Sequence, residues 1–115
     1  MKATITETVP ALEDPSAADT AAVRAAEAAE AKQLADAQIG ELRTRLDQID
    51  QAIIDLWLER AAISREVGKT RVAAGGTRLV LSREQEILDR YRSALGADGT
   101  QLALLVLRAG RGKLV

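Results

Sequence analysis

A single stripe of aliphatic residues constrains this chain more than any other feature of its sequence. Between Ala35 and Val72, apolar residues recur at steps of three and four, which places their side chains on one face of an α-helix. This apolar stripe consists of Ile39, Leu42, Leu46, Ile49, Ile53, Leu56, Ile63 and Val67. The pattern predicts a helix of roughly 37 residues, about 55 Å long. Gly75 and Gly76 predict that this helix ends near Ala73.

Two arginines lie on the same face as the apolar stripe. Arg60 occupies a position where the pattern calls for an aliphatic side chain. Arg71 follows eleven residues later, and eleven helical steps return to nearly the same direction, about 16 Å further along the axis. Two cationic side chains on one face indicate a binding site for a small anion. The ordinary alternative for Arg60 is a side chain that reaches out to solvent, or an ion pair between helices.

The composition excludes several kinds of chemistry. The 115 residues make one domain at most and include neither Cys nor His, which excludes thiol nucleophiles, disulfides, imidazole bases and the usual zinc ligands. We expect no metal site and no cofactor. Lys and Arg number 16 against 17 Asp and Glu, so no net field favours nucleic acid or an anionic membrane. No segment resembles a signal peptide or a membrane span, which predicts a cytoplasmic protein.

The N-terminal part of the chain differs in composition from the rest. Residues 1 to about 18 are rich in Thr, Glu, Pro, Asp and Ser, which predicts disorder. Residues 19–37 are rich in Ala and extend the main helix backwards if they are ordered. We therefore expect residues 1–34 to be a disordered or partly helical extension and residues 35–115 to be the functional domain. Two short helices cannot cover the whole apolar face of the predicted long helix. We therefore expect a homodimer, in which a second copy covers the rest.

Two shorter helices are predicted after the long one. Ser82 can cap the first of them, with Gln85 returning the hydrogen bond as a capping box, and Gly96 ends it. Asp98 and Gln101 repeat this pattern at the start of the third helix. The third helix is apolar nearly all round, so it should be the most buried element.

The remaining polar segments carry no specific chemistry by themselves. The segment Gly110 to Val115 is basic and holds two glycines, which predicts a mobile tail. Lys69 and Arg78 are expected to be solvated charges. The Gly75-Gly76 pair lacks the spacing of the phosphate-binding loops.

Several motifs agree in order and spacing with one known family. The matching positions are Leu42-Arg43, Leu46, Ile49-Asp50, Ile53-Ile54, Leu56, Glu59-Arg60, Val67-Gly68-Lys69, Arg71 and Ser82-Arg83-Glu84. Together they resemble the all-helical chorismate mutases over residues 35–115. The segments Gly75 to Val80 and Arg108 to Gly112 look in particular like the short actinobacterial members, which are associated with DAHP synthase.

The resemblance implies an all-α fold of one long helix and two shorter helices, assembled as an intertwined helical homodimer. The implied reaction is the rearrangement of chorismate to prephenate, which leads towards phenylalanine and tyrosine. This reaction is intramolecular and pericyclic, so it needs neither a proton carrier nor a nucleophile. A chain without His or Cys can therefore catalyse it.

The resemblance also implies roles for five charged residues. Arg60 matches the arginine that binds a substrate carboxylate, and Arg43 matches the one that enters the site from the opposite protomer. Arg71 stands where family members place a cation on the ether oxygen, which makes it the main candidate for transition-state stabilisation. Arg83 and Glu84 match the pair that orients the substrate, with Glu84 accepting a hydrogen bond from its hydroxyl.

The implied substrate-binding set also includes Thr77 and Val80, the latter through its backbone. Many family members have a Gln in the third helix that donates to the ether oxygen, but none lies near Leu114 here. We therefore expect weak activity alone and activation by DAHP synthase, through ordering of the C-terminal tail and of the loop from Thr77 to Leu81. The alternative from another class is a structural helical dimer or adaptor whose arginines bind acidic partners.

Overall fold

A computed structural model describes residues 15–111 and contains three α-helices: α1 (Pro15–Ala73), α2 (Leu81–Leu95) and α3 (Ala97–Arg111). Within that range no residue lies in a β-strand. The prediction of an all-α chain with one long helix followed by two shorter ones is confirmed.

Helix α1 begins earlier than the sequence suggested. Residues 15–18, predicted to belong to a disordered tail, are helical, while the rest of that prediction falls on residues 1–14, outside the described part. Proline is tolerated as the first helical residue, and the alanines that follow Pro15 are the strongest helix formers. Lys32 and Asp36 add an ion pair of 2.8 Å one turn apart on the exposed helix surface.

The chain divides into two units, Met1–Asp47 and Gln48–Val115, and α1 contributes to both. The second unit contains the core, where Ile87 of α2 packs with Ala103 and Leu107 of α3. Leu88 and Tyr91 cover this cluster. Helix α3 holds most of the buried positions of the described residues, as predicted: Gly99, Ala103, Val106, Leu107 and Gly110. It is not buried all round, because Leu102, Leu104 and Leu105 remain 39–47% exposed.

The predicted capping boxes are wrong, although the predicted C-terminal ends of α1 and α2 are right. Helix α2 begins one residue before Ser82, and the extended residue Val80 occupies the N-cap without any side-chain hydrogen bond. The Val80 carbonyl already accepts the amide of Glu84 at 3.1 Å, so Ser82 lies inside the first turn. Likewise α3 begins at Ala97, and Asp98 lies in its first turn.

The glycines at the ends of α1 and α2 act as predicted. Gly75 and Gly96 have φ angles of 87° and 71°, in the left-handed region that glycine adopts without strain. The Gly96 amide donates to the Arg92 carbonyl at 2.7 Å, which closes the last turn of α2. The next helix can therefore start immediately, at Ala97.

The prediction of a mobile tail from Gly110 onward is wrong for Gly110 and Arg111, which continue helix α3. Gly110 is buried against α1, where a Cβ would lie 2.5 Å from the Ser64 Oγ. The glycine therefore permits a close helix contact and does not provide flexibility. Arg65 strengthens this contact by donating from a terminal guanidinium nitrogen to the Ala109 carbonyl at 3.1 Å. Residues 112–115 lie outside the described part.

The apolar stripe is uncovered in the single chain. Its eight side chains are 38–63% exposed, although all of them are Leu, Ile or Val. No helix in the described part of the chain is long and apolar enough to cross a membrane.

Candidate active site

A cavity of about 300 Å³ lies in the second unit, where the last turns of α1 meet the loop before α2 and parts of α2 and α3. Its apolar wall is formed by Ile63, Val67, Gly68, Val80, Ile87 and Leu107. Its polar wall is formed by Arg60, Ser64, Arg71, Arg78, Arg83 and Glu84. This volume accommodates a small organic molecule.

The charges on the cavity wall favour an anionic ligand. Among the residues that the structure describes, four arginines line the cavity and Glu84 is its single carboxylate. Guanidinium groups bind carboxylates through paired, charge-assisted hydrogen bonds. Residues 15–111 contain no cluster of acidic side chains suited to a metal ion. The charge of the wall therefore suits a small molecule with more than one negative group.

Arg60, which lines the cavity, has one unpaired donor within the described part of the chain. One of its terminal guanidinium nitrogens is buried and has no hydrogen-bond partner among the described residues. Leaving a buried donor unsatisfied costs about 1–3 kcal/mol, and more for a charged group. A bound ligand is one partner that supplies the acceptor for such a donor. The unpaired nitrogen of Arg60 is therefore the strongest local indication of an anion site.

Arg71 joins Arg60 at the same cavity, as their spacing of eleven residues predicted. It lies in the last turn of α1, and its side chain is exposed. The Arg71 carbonyl accepts the Gly76 amide at 2.8 Å, which turns the chain at the end of the helix. This turn brings the loop residues back over the cavity that Arg71 lines.

Arg83 and Glu84 approach the cavity from the first turn of α2. Arg83 donates to Glu86 at 3.3 Å on the exposed side of the helix. Glu84 is half-buried and accepts hydrogen bonds from Arg111 on both carboxylate oxygens, with the Nε to Oε2 distance at 3.1 Å. The carboxylate is thus held by the last described residue of α3.

Two of the predicted site residues do not line this cavity. Arg43 is exposed on α1 in the first unit. The Thr77 hydroxyl donates to the Leu79 carbonyl at 2.8 Å, so Thr77 shapes the loop. Val80 does line the cavity, and its carbonyl is engaged with the Glu84 amide.

Sequence reasoning missed two arginines. Arg78, expected to be a solvated charge, lines the cavity and donates to the Arg111 carbonyl at 3.3 Å. Arg111, expected in a mobile tail, forms the ion pair with Glu84. Neither contact could be predicted from the sequence, because both depend on the close packing of Gly110 against Ser64.

Comparisons with known proteins identify the family of this chain. The family described as chorismate mutase type II matches residues 42–106. An intracellular chorismate mutase of Mycolicibacterium smegmatis is 48% identical over 77 residues, which is 67% of this chain and 74% of that protein. An intracellular chorismate mutase of Mycobacterium tuberculosis strain H37Rv is 51% identical over 77 residues, which is 67% of this chain and 72% of that protein.

A solved structure gives the same result. It is a non-covalent complex of DAHP synthase and chorismate mutase from Corynebacterium glutamicum, with a bound transition-state analogue. One of its chains matches with a TM-score of 0.66 and 44% identity, over 71% of this chain and 99% of that one. Because the family match spans more than half of the sequence and the curated relatives agree with it, this chain belongs to the chorismate mutase type II family.

Proposed function

We propose that this chorismate mutase rearranges chorismate to prephenate in the cavity that Arg60 and Arg71 line. The observation that carries the proposal is the buried, unpaired guanidinium nitrogen of Arg60 in a wall rich in arginine. Chorismate carries two carboxylates, which supply acceptors for the guanidinium groups of this wall. The rearrangement transfers no proton, so the site has only to hold the substrate compact and stabilise developing charge.

Each charged residue at the cavity has its own role in this reaction. Arg60 binds a substrate carboxylate, and Arg71 stabilises the negative charge that grows on the ether oxygen as the bond breaks. Arg83 orients the substrate, and Glu84 accepts a hydrogen bond from its hydroxyl. The Glu84 carboxylate keeps acceptor capacity for this bond, because each of its oxygens has a further lone pair beside the one that Arg111 uses.

The loop before α2 completes the proposed substrate site. Val80 contributes through its backbone at the cavity wall, and Thr77 contributes through the loop conformation that its hydroxyl holds.

The proposed active unit is an intertwined homodimer in which a second copy supplies Arg43. Support comes from the apolar stripe, whose eight aliphatic side chains are uncovered in one chain. A second copy covers both stripes with one interface, which is the usual solution for a soluble protein. Arg43 does not line the cavity of its own chain, which agrees with a role in its partner.

The test is the loss of chorismate absorbance in the presence of the purified chain, with prephenate measured as the product. An enzyme consumes chorismate and releases prephenate at equal rates. The competing structural adaptor does neither, even at high protein concentration. An Arg108→Ala chain is the matched control, because Arg108 is exposed on α3 and does not line the cavity. If chorismate absorbance falls only at the uncatalysed rate with both the wild-type chain and the control, the proposal fails.

We further propose that DAHP synthase binds and activates this enzyme. Support comes from the Corynebacterium glutamicum relative, which was solved in complex with that synthase. No Gln near Leu114 is present to donate to the ether oxygen, and one lost donor of this kind costs about 10²–10³ in rate. Both enzymes would act in the cytoplasm, which the word intracellular in the names of the mycobacterial relatives supports.

The expected result is that the synthase raises kcat/KM for chorismate, because its contact with the C-terminal tail raises the population of the competent state. Kinetics should be measured for the full chain and for a chain that ends at Gly112, each with and without the synthase. The shorter chain keeps the ion pair between Arg111 and Glu84. It also keeps the Arg111 carbonyl as a peptide carbonyl, which accepts the hydrogen bond from Arg78. Equal activation of both chains would remove the tail from the mechanism. No change in either kinetic constant on adding the synthase would refute activation.

A further inference from the structure

We infer that Arg111 is a positioning residue for the reaction: it holds the Glu84 carboxylate in place and keeps it from pairing with Arg60. The inference rests on the proposed function of Glu84. Arg111 donates to both oxygens of this carboxylate, from Nε at 3.1 Å and from a terminal nitrogen. The two side chains are only 27% and 18% exposed, so solvent screens the pair weakly.

Three contacts hold the backbone at Arg111 and at the two residues before it. Arg78 donates to its carbonyl from the loop before α2. The residue before it, Gly110, is seated against Ser64 of α1. One residue earlier, the Ala109 carbonyl accepts a hydrogen bond from Arg65. A side chain that starts from a backbone held in this way can impose one position on its partner.

The positive charge of Arg60 gives a physical reason for such control. Glu84 lines the same cavity as Arg60, and an unrestrained carboxylate there is attracted to the guanidinium group of Arg60. That pairing would occupy the group that binds the substrate carboxylate and would remove the acceptor for its hydroxyl. The bidentate bond to Arg111 offers Glu84 a competing partner, and Arg60 stays open for substrate.

A double-mutant cycle separates this role from a merely structural one. Arg111→Met keeps the aliphatic stem and removes the charge, so helix packing should survive. We expect kcat/KM to fall about 10-fold or more with KM raised, because misplacement by about 1 Å can cost 10²-fold. Arg111→Lys should recover part of the loss. It keeps the positive charge but lacks the planar guanidinium that donates two hydrogen bonds to the carboxylate. Arg108→Ala, three residues earlier on the exposed side of α3, should match wild type.

The decisive comparison uses Glu84→Gln as background. Because Arg111 acts through Glu84, adding Arg111→Met to Glu84→Gln should lower kcat/KM by no more than about 2-fold. Helical circular dichroism and a thermal melt check the fold of every variant, and Arg111→Gln provides the same comparison if the Met variant loses its helical signal.

Three outcomes would overturn the inference. The first is a normal or raised kcat/KM for Arg111→Met while Glu84→Gln is impaired, which would leave the role of Glu84 intact. The second is full additivity of the two losses, which would mean that Arg111 acts independently of Glu84. The third is wild-type activity of Glu84→Gln itself, which refutes the proposed role of Glu84 and the inference with it.

Discussion

Replacement of Arg71 by alanine is expected to lower kcat of chorismate rearrangement by about 10² or more. Arg71 lines the cavity together with Arg60, and it is our candidate for the group that faces the ether oxygen. Negative charge grows on this oxygen only as the bond breaks, so the loss should appear in kcat more than in KM. Steady-state kinetics with purified protein measure both constants.

Two variants sharpen this experiment. Arg71→Lys should retain part of the activity because a cation remains, although the planar fork is lost. Lys69→Ala removes an exposed cation from the same end of α1 without touching the cavity wall, so it should match wild type. Circular dichroism should show the same helix content in all three chains. Equal kcat for Arg71→Ala and wild type would remove Arg71 from the mechanism.

The parts of the fold that could be predicted depend on neighbouring residues alone. The apolar stripe follows from a period of 3.6 residues, and the ends at Gly75 and Gly96 follow from glycine's access to positive φ. The start of α2 could not be predicted in this way. Ser82 has the chemistry of a cap, but the chain enters the helix one residue earlier, at Leu81.

In the candidate site too, only the features that depend on neighbouring residues of one helix could be predicted. The cavity brings Arg60 and Arg71 together because both lie on one helix, where spacing determines direction. Arg78 and Arg111 could not be found, since their contact depends on how α3 meets α1. The sequence Gly110-Arg111-Gly112 reads as flexible when it is taken alone. The close approach of Gly110 to Ser64 is a tertiary contact, and it reverses this interpretation for the first two residues.

The proposed sharing of sites between two copies predicts that two inactive chains will rescue each other. Arg43→Ala and Arg60→Ala chains should each lose most of their activity, because each removes a guanidinium group that we propose acts in the site. In a mixed dimer, the cavity of the Arg43→Ala chain keeps its own Arg60 and receives an intact Arg43 from its partner. Half of the dimers are mixed after complete exchange, and one of the two sites in each is whole, so activity should reach about a quarter of wild type.

A second mixture provides the matched control for this exchange. Arg60 and Arg71 line the cavity of one and the same chain, so mixing Arg60→Ala with Arg71→Ala leaves a defect in every site. That mixture should stay as slow as its components, while the mixture that contains Arg43→Ala gains activity. Chains of different mass, distinguished by native mass spectrometry, would show that mixed dimers form in both experiments. If mixed dimers form and neither mixture gains activity, Arg43 does not act in the cavity of the partner chain.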